Sequence, residues 1–250
     1  MTDRRILRLS GPDTIEFLQG LVTNDVKRLE QGAVYAALLT PQGKYIADFF
    51  LIPDGEAVLL DVAEALGDTL AQRLAMYKLR AKVEIAQTDL HCHRGTGPLP
   101  DDGFADRRHP DLGWRAYRAE PQIGDSTDWD ALRVAHVIPE SGVELTPDTF
   151  ILEAGFERLN GVDFRKGCYV GQEVTARMKH KTELRKGLAQ VIVEGDAPVG
   201  AELIAEGKAA GTLLTRAGDK AIAYLRFDRA TGEMTAESAK VRRAAAQENA

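Results

Sequence analysis

From Lys166 to Arg177 the chain reads "KGCYVGQEVTAR", with a cysteine, two glycines, a glutamine and a glutamate lying between the two basic ends. Gly167 and Gly171 bracket Cys168 and permit a bend, or a close backbone approach, that a β-carbon would block. After Gly171 the run "QEVTARM" suits a helix, in which Glu173 and Arg177 stand one turn apart and are spaced to pair. Cys168 then lies just ahead of a helix N-terminus and two positions from Lys166, and both influences favour thiolate over thiol. No histidine adjoins it in sequence, so a hydrolytic nucleophile would need its base from elsewhere. The residues by themselves leave three roles open for Cys168: a reacting thiol, a ligand contact, or a small packed hydrophobe.

The bulk numbers narrow the setting. A chain of 250 residues is long for one core and short for three independent ones, so two or three small modules sharing interfaces are expected. With 44% hydrophobic and 28% charged residues the composition is that of a soluble globular protein. No apolar run approaches the roughly 20 residues that span a bilayer. The N-terminal "MTDRRILRLSGPD" lacks the apolar stretch and small-residue cleavage site of a secretory signal, so a cytoplasmic address is expected. A net charge of −6 argues against general nucleic-acid binding. Locally, "RMKHKTELRK" gathers Arg177, Lys179, Lys181, Arg185 and Lys186, which reads either as a seat for a carboxylate- or phosphate-bearing ligand or as a solvated connector. Two cysteines exclude a disulfide framework and a four-cysteine zinc or iron-sulfur centre within one chain, and no resident metal site is expected. In "HCH" at 91–93 a strand would point His91 and His93 to one face and Cys92 to the other, splitting the ligands, so a structural or surface role is expected there.

Along the chain, "SGPDTIEFLQGLVTND" carries Pro12 in a first turn and Ile15, Leu18 and Val22 at helical spacing. "AVYAALLT" and "KYIADFFLI" are β-prone runs joined by "PQG", which predicts a hairpin, and "EAVLLDV" predicts a third strand. Leu66, Leu70 and Leu74 predict an amphipathic helix despite Gly67, followed by a strand at "AKVEIAQ". Residues 95–113 read as a long loop, "WRAYRAE" as a strand, and "DWDALRVAHVIP" as a helix that stops at Pro139. From Lys186 on, short apolar bursts punctuated by glycine predict a small all-β module, and "RRAAAQENA" has no apolar face to bury and is expected to fray.

"KGCYVGQEVTARM", with "FLQGLVTNDV", "TPQGKYIADFFL", "MYKLRAKVEI" and "LTPDTFILEAGFERLNGVDF" in the same order, resembles the YgfZ-type folate-binding proteins that assist iron-sulfur cluster assembly. The wider superfamily includes the glycine cleavage T-protein, an aminomethyltransferase. The resemblance implies an α+β fold: a cloverleaf of two interleaved α+β modules over residues 1–185, one of them ferredoxin-like at about 38–118, a C-terminal β-barrel over 186–243, and a frayed tail at 244–250. It implies tetrahydrofolate or a derivative as cofactor, and transient iron-sulfur assembly or client proteins as partners. Cys168 and Asp48 take the reacting positions. Lys166, Gly167, Gly171, Gln172, Glu173 and Arg177 shape the surroundings of Cys168; Trp129, Tyr45 and Tyr169 offer walls to the folate; Asn24 and Glu153 fall at further polar positions. The chain departs from the aminomethyltransferases at Ala47 and Ala135, where they carry carboxylates, and at Arg4, where some relatives carry tryptophan. Three functions follow from these residues: a folate-linked accessory factor for iron-sulfur cluster maturation, a folate-dependent one-carbon transferase, and a non-catalytic scaffold.

Overall fold

The hairpin forms where the Pro/Gly turn predicts it. In a computed structural model, which describes residues 3–181 and 183–245, β2 (Val34–Leu39) and β3 (Tyr45–Asp54) pair antiparallel, and their turn closes through Gly43 N–H to Thr40 O at 2.8 Å. Gly43 holds φ +75°, a region that glycine enters without steric cost. β4 (Ala57–Ala63) pairs with β3, and β1 (Arg4–Ser10) lies between β4 and β5 (Glu84–Gln87), giving the order β2-β3-β4-β1-β5. β1 is not among the expected elements, because three arginines in "RRILRLS" mask the alternation of its apolar residues.

Alternation along these strands makes two different faces. Ala36, Leu38, Ala47, Phe49, Leu51, Leu60 and Val62 enter a hydrocarbon core with Leu18 of α1 (Thr14–Gln19) and Leu70 and Leu74 of α2 (Glu64–Lys78). Gly67 belongs in α2 for a packing reason: a β-carbon there would stand 2.5 Å from the side chain of Arg5, which bridges Glu64 and Asp68. The opposite face carries Tyr35, Asp48, Phe50 and Asp61. Arg115 and Tyr117 reach Asp61 from β8 (Trp114–Arg118), a member of a three-stranded sheet with β6 (His91–Gly95) and β7 (Phe104–Ala105) in the order β6-β8-β7. The expected loop at 95–113 therefore contains β7 and a 3-10 turn at Pro110–Leu112.

The chain divides into two units, Met1–Thr127 with Phe156–Arg177, and Asp128–Gly155 with Met178–Ala250, so each unit is built from two separated segments. In the second, Asp128 caps α3 (Trp129–His136) by accepting from Ala131 N–H, and the helix ends at Val137 in the left-handed region, before Pro139. β9 (Lys186–Glu194), β10 (Glu202–Ala205), β11 (Lys208–Ala217), β12 (Lys220–Arg226), β13 (Met234–Ala236) and β14 (Ala239–Arg243) close a barrel in the order β10-β11-β12-β9-β14-β13. β9 alternates buried and half-buried residues, and its buried side chains join Leu203, Leu213, Leu225, Met234 and Val241 inside. Gln190 of β9 donates to Val134 O of α3 at 2.8 Å, one reason residues 128–155 group with the barrel rather than with one continuous region reaching 185. Of the tail expected to fray, Arg242 and Arg243 lie in β14 and Ala244 N–H donates to Gln190 O at 3.0 Å, while 246–250 lie outside the described residues.

Candidate functional site

Cys168 stands exposed on the turn ahead of α4 (Gln172–Lys181). The turn is fixed from both sides. On one side Lys166, buried at 4% exposure, sends its ammonium to Gln19 O at 2.7 Å and to Val22 O at 2.5 Å, and covers the buried ring of Tyr169 at 5.1 Å. Burial lowers the Lys166 pKa to about 8, against the opposing pull of Asp25 and Asp163. Its amine is thus committed to anchoring the turn on the end of α1 rather than to activating the neighbouring thiol. On the other side Gly171 holds φ +84°, and a β-carbon there would lie 2.6 Å from Thr40 O and 3.0 Å from Leu39 Cβ, so the chain touches the β2–β3 hairpin backbone to backbone. The two bracketing glycines differ, because a β-carbon added at Gly167 would meet nothing within 4 Å, and its φ is an ordinary one.

Gln172 Nε2 donates across the turn to Gly167 O over a long 3.4 Å, and Glu173 and Arg177 form the expected pair at 2.7 Å, both well exposed. Tyr169 packs beneath Lys166, where burial raises its hydroxyl pKa. Asn24, 3% exposed, spends its amide on the chain: Nδ2 donates to Tyr35 O at 2.8 Å and Asn160 O at 2.6 Å, and Oδ1 accepts from Asp25 N–H.

Asp48 lies on the polar face of β3 and is buried at 5% exposure. Its Oδ2 accepts from Tyr35 Oη at 2.9 Å and its Oδ1 from Tyr45 Oη at 2.7 Å. Burial, reinforced by the Asp48 carboxylate, pushes the Tyr35 pKa well up, so its proton stays in that bond. Ala47 points into the hydrocarbon core at 0% exposure, where a carboxylate would have no partner, so strand alternation prevents residues 47 and 48 from serving one site.

Beside Asp48 lies a charge cluster that sequence spacing does not announce. Asp61, fully buried, accepts from Arg4 Nε at 2.5 Å, Arg115 Nη1 at 2.8 Å and Tyr117 Oη at 2.8 Å; Arg115 continues to Asp106 at 3.2 Å, which Arg108 also binds. Burial alone would raise the Asp61 pKa, but Arg4 and Arg115 hold it well below the usual carboxylate range. Cys92 lies 3.6 Å from Arg115 Nη1, and burial pushes its thiol up to about 11. The one available signal is a lone acid inside the apolar run "VLLDVA".

Trp129 and Glu153 belong to the second unit. Trp129 opens α3 and is half-buried; Glu153 accepts from Tyr224 Oη at 2.7 Å, a bond that, after burial, raises the tyrosine pKa. That unit also contains Arg133, which binds Asp130, Glu140, Glu144 and Thr215. Ala135 sits on α3 with its carbonyl accepting from Gln190 at 3.2 Å.

Comparison with known proteins places the chain in a family. Residues 185–247 match the model of the CAF17 C-terminal beta-barrel domain. The mouse protein named iron-sulfur cluster assembly factor IBA57, mitochondrial, is 31% identical over 92% of this chain and 78% of its own length. The chain belongs to the IBA57 family. The human IBA57 is 28% identical over the same shares, and a homologue from Mycosarcoma maydis is 32% identical over 73% of this chain but 54% of its own, so the chain spans about half of that fungal relative. In fold it is similar to the glycine cleavage system aminomethyltransferase T from Bartonella henselae, with a TM-score of 0.76, 13% identity, and coverage of 97% of this chain and 83% of that one. The IBA57 relatives are named as mitochondrial, which overturns the cytoplasmic address expected here. That expectation rests on the lack of a secretory signal alone, and a fold does not encode its compartment.

Tested against these surroundings, the residues that the resemblance assigns to a folate do not fit it as they stand. A pterin wants paired donors and acceptors. Both Asp48 oxygens take tyrosine hydroxyls, the Asn24 amide is bonded at both ends, and the Lys166 ammonium is held by carbonyls.

Proposed function

We propose that this protein is an iron-sulfur cluster assembly factor that acts through the sulfur of Cys168. Family membership supports the first part; the second is carried by one observation, an exposed thiol on a turn anchored by Lys166 and Gly171. A cysteine thiolate is a soft ligand suited to iron and to sulfide-bearing clusters. A single such sulfur supplies one of the four protein ligands a cluster ordinarily takes, so the cluster is cargo whose remaining ligands come from a donor or client protein. Rigidity of the turn serves this role by lowering the ordering cost of presenting the sulfur to a partner.

No step of this action passes through a folate. A reduced folate seated at Asp48 would have to share a buried carboxylate whose two oxygens already accept from Tyr35 and Tyr45. The transferase reading loses support for the same reason, together with Ala47 facing the hydrocarbon core.

The test is Cys168→Ala in the full chain. Its urea midpoint should match wild type, since the side chain is exposed, while a cluster-dependent enzyme in the same cells loses activity several-fold. Full activity of that enzyme with Cys168→Ala in place would sink the reading.

A further inference from the structure

The stretch "MYKLRAK", at the end of α2 and in the turn after it, takes no part in the site above and carries two features that packing does not explain. Leu79 is 88% exposed and Met76, three positions earlier, is 68% exposed, on a helix whose Leu70 and Leu74 are fully buried. Leu79 also holds φ 43° and ψ −103°, a region that a β-carbon crowds and that glycine ordinarily occupies. A glycine would end α2 with less strain and expose less apolar surface. Folding alone therefore gives no reason for a leucine at this position.

The charges flanking these two side chains in the sequence are of one sign. Between Thr69 and Val83 the sequence has no acidic residue, yet it has Arg73, Lys78, Arg80 and Lys82 in a chain of net charge −6. None of these four side chains has an ion pair or hydrogen bond among the described residues. Asp13 approaches the segment, where its carboxylate accepts from the Lys82 backbone N–H at 2.7 Å. Lys78, in the last turn of α2, is accounted for by the helix dipole, but Arg73, Arg80 and Lys82 are not.

We infer that the end of α2 is a docking knob for a partner protein, with Met76 and Leu79 entering an apolar cleft and Arg73, Lys78, Arg80 and Lys82 meeting carboxylates on its rim. Apolar centres with charged rims are how protein interfaces are built, and strain retained at an exposed residue is a mark of use rather than of packing. Two apolar side chains make too narrow a face for a lipid surface, and phosphate binding would give Leu79 no role. The inference does not depend on the role of Cys168.

The experiment uses the full chain in cells, with a photo-reactive benzophenone amino acid in place of Met76. The expected result is an adduct to a protein whose cross-linked peptide is rich in Asp or Glu, lowered about ten-fold by Lys78→Glu with Arg80→Glu, because reversed charges repel the rim. Leu79→Gly should raise Tm while weakening the adduct, which excludes misfolding as the cause. Cys168→Ala should leave the adduct unchanged, so this test and the test of the proposed function fail separately. The inference is overturned by the absence of an adduct, by an adduct insensitive to charge reversal or to Leu79→Gly, or by cross-links to lipid, nucleic acid or a second copy of this chain.

Discussion

The carboxylate of Asp48 and the sulfur of Cys168 lie in the same unit and meet opposite surroundings. Asp48 is buried, with each oxygen answered by a tyrosine hydroxyl, and its neighbour Asp61 is answered by two arginines and a third tyrosine. Cys168 is exposed, and what the protein answers instead is the backbone on either side of it. A polar group whose bonding capacity is met within the fold contributes to stability; one left facing water on a fixed turn is available to something outside. Chemistry in this unit is therefore expected at the sulfur.

The contrast is broken most directly at Asp61. Asp61→Ala leaves Arg4 and Arg115 without their shared anion and should destabilise by about 4 kcal/mol in urea unfolding, the usual cost of breaking a buried ion network; a loss near zero would mean the cluster is relaxed or solvated. The same carboxylate makes stability pH-dependent. Its folded pKa lies below the unfolded value, so its contribution is fully present above about pH 4 and drains away as pH falls through the folded pKa, a loss that Asp61→Asn should remove.

Next come the two glycines. Gly171→Ala forces a β-carbon against Thr40 O at a positive φ and should cost about 3 kcal/mol, combining strain with overpacking. Gly167→Ala meets nothing and should stay within about 0.5 kcal/mol; equal costs would refute the close backbone approach assigned to Gly171 alone. Asp48→Ala orphans two tyrosine hydroxyls and should cost about 2 kcal/mol. If it instead abolishes cluster-enzyme activity with the fold intact, Asp48 has a chemical part after all. The smallest effect, in energy, is on thiol labelling. At pH 8 iodoacetamide should modify Cys168 promptly and half-buried Cys92, whose thiol is held up near pH 11, at least about ten-fold more slowly. Comparable labelling rates would erase the contrast.

Much of this is legible in the residues. The "PQG" turn sets the β2–β3 hairpin, leucines every fourth position set α2, and glycine-spaced apolar bursts set the barrel. Legible too are the bend at Cys168 and the Glu173–Arg177 pair, because both are local. Partners distant in sequence are not. Arg133 binds Thr215 across 82 positions, Arg115 binds Asp61 across 54, and no periodicity announces such meetings. The carbonyl acceptors of Lys166 and Asn24 are hidden for the same reason, since they come from other elements of the fold.

The clamp on the Cys168 turn joins segments made far apart in time. Lys166 reaches carbonyls 147 and 144 positions earlier, and Gly171 rests on Thr40. During synthesis the cradle leaves the ribosome long before the sulfur does, so the thiol is held in place only once the late segment has returned to the early one. A truncated or half-folded chain would carry the same cysteine on a loose tether.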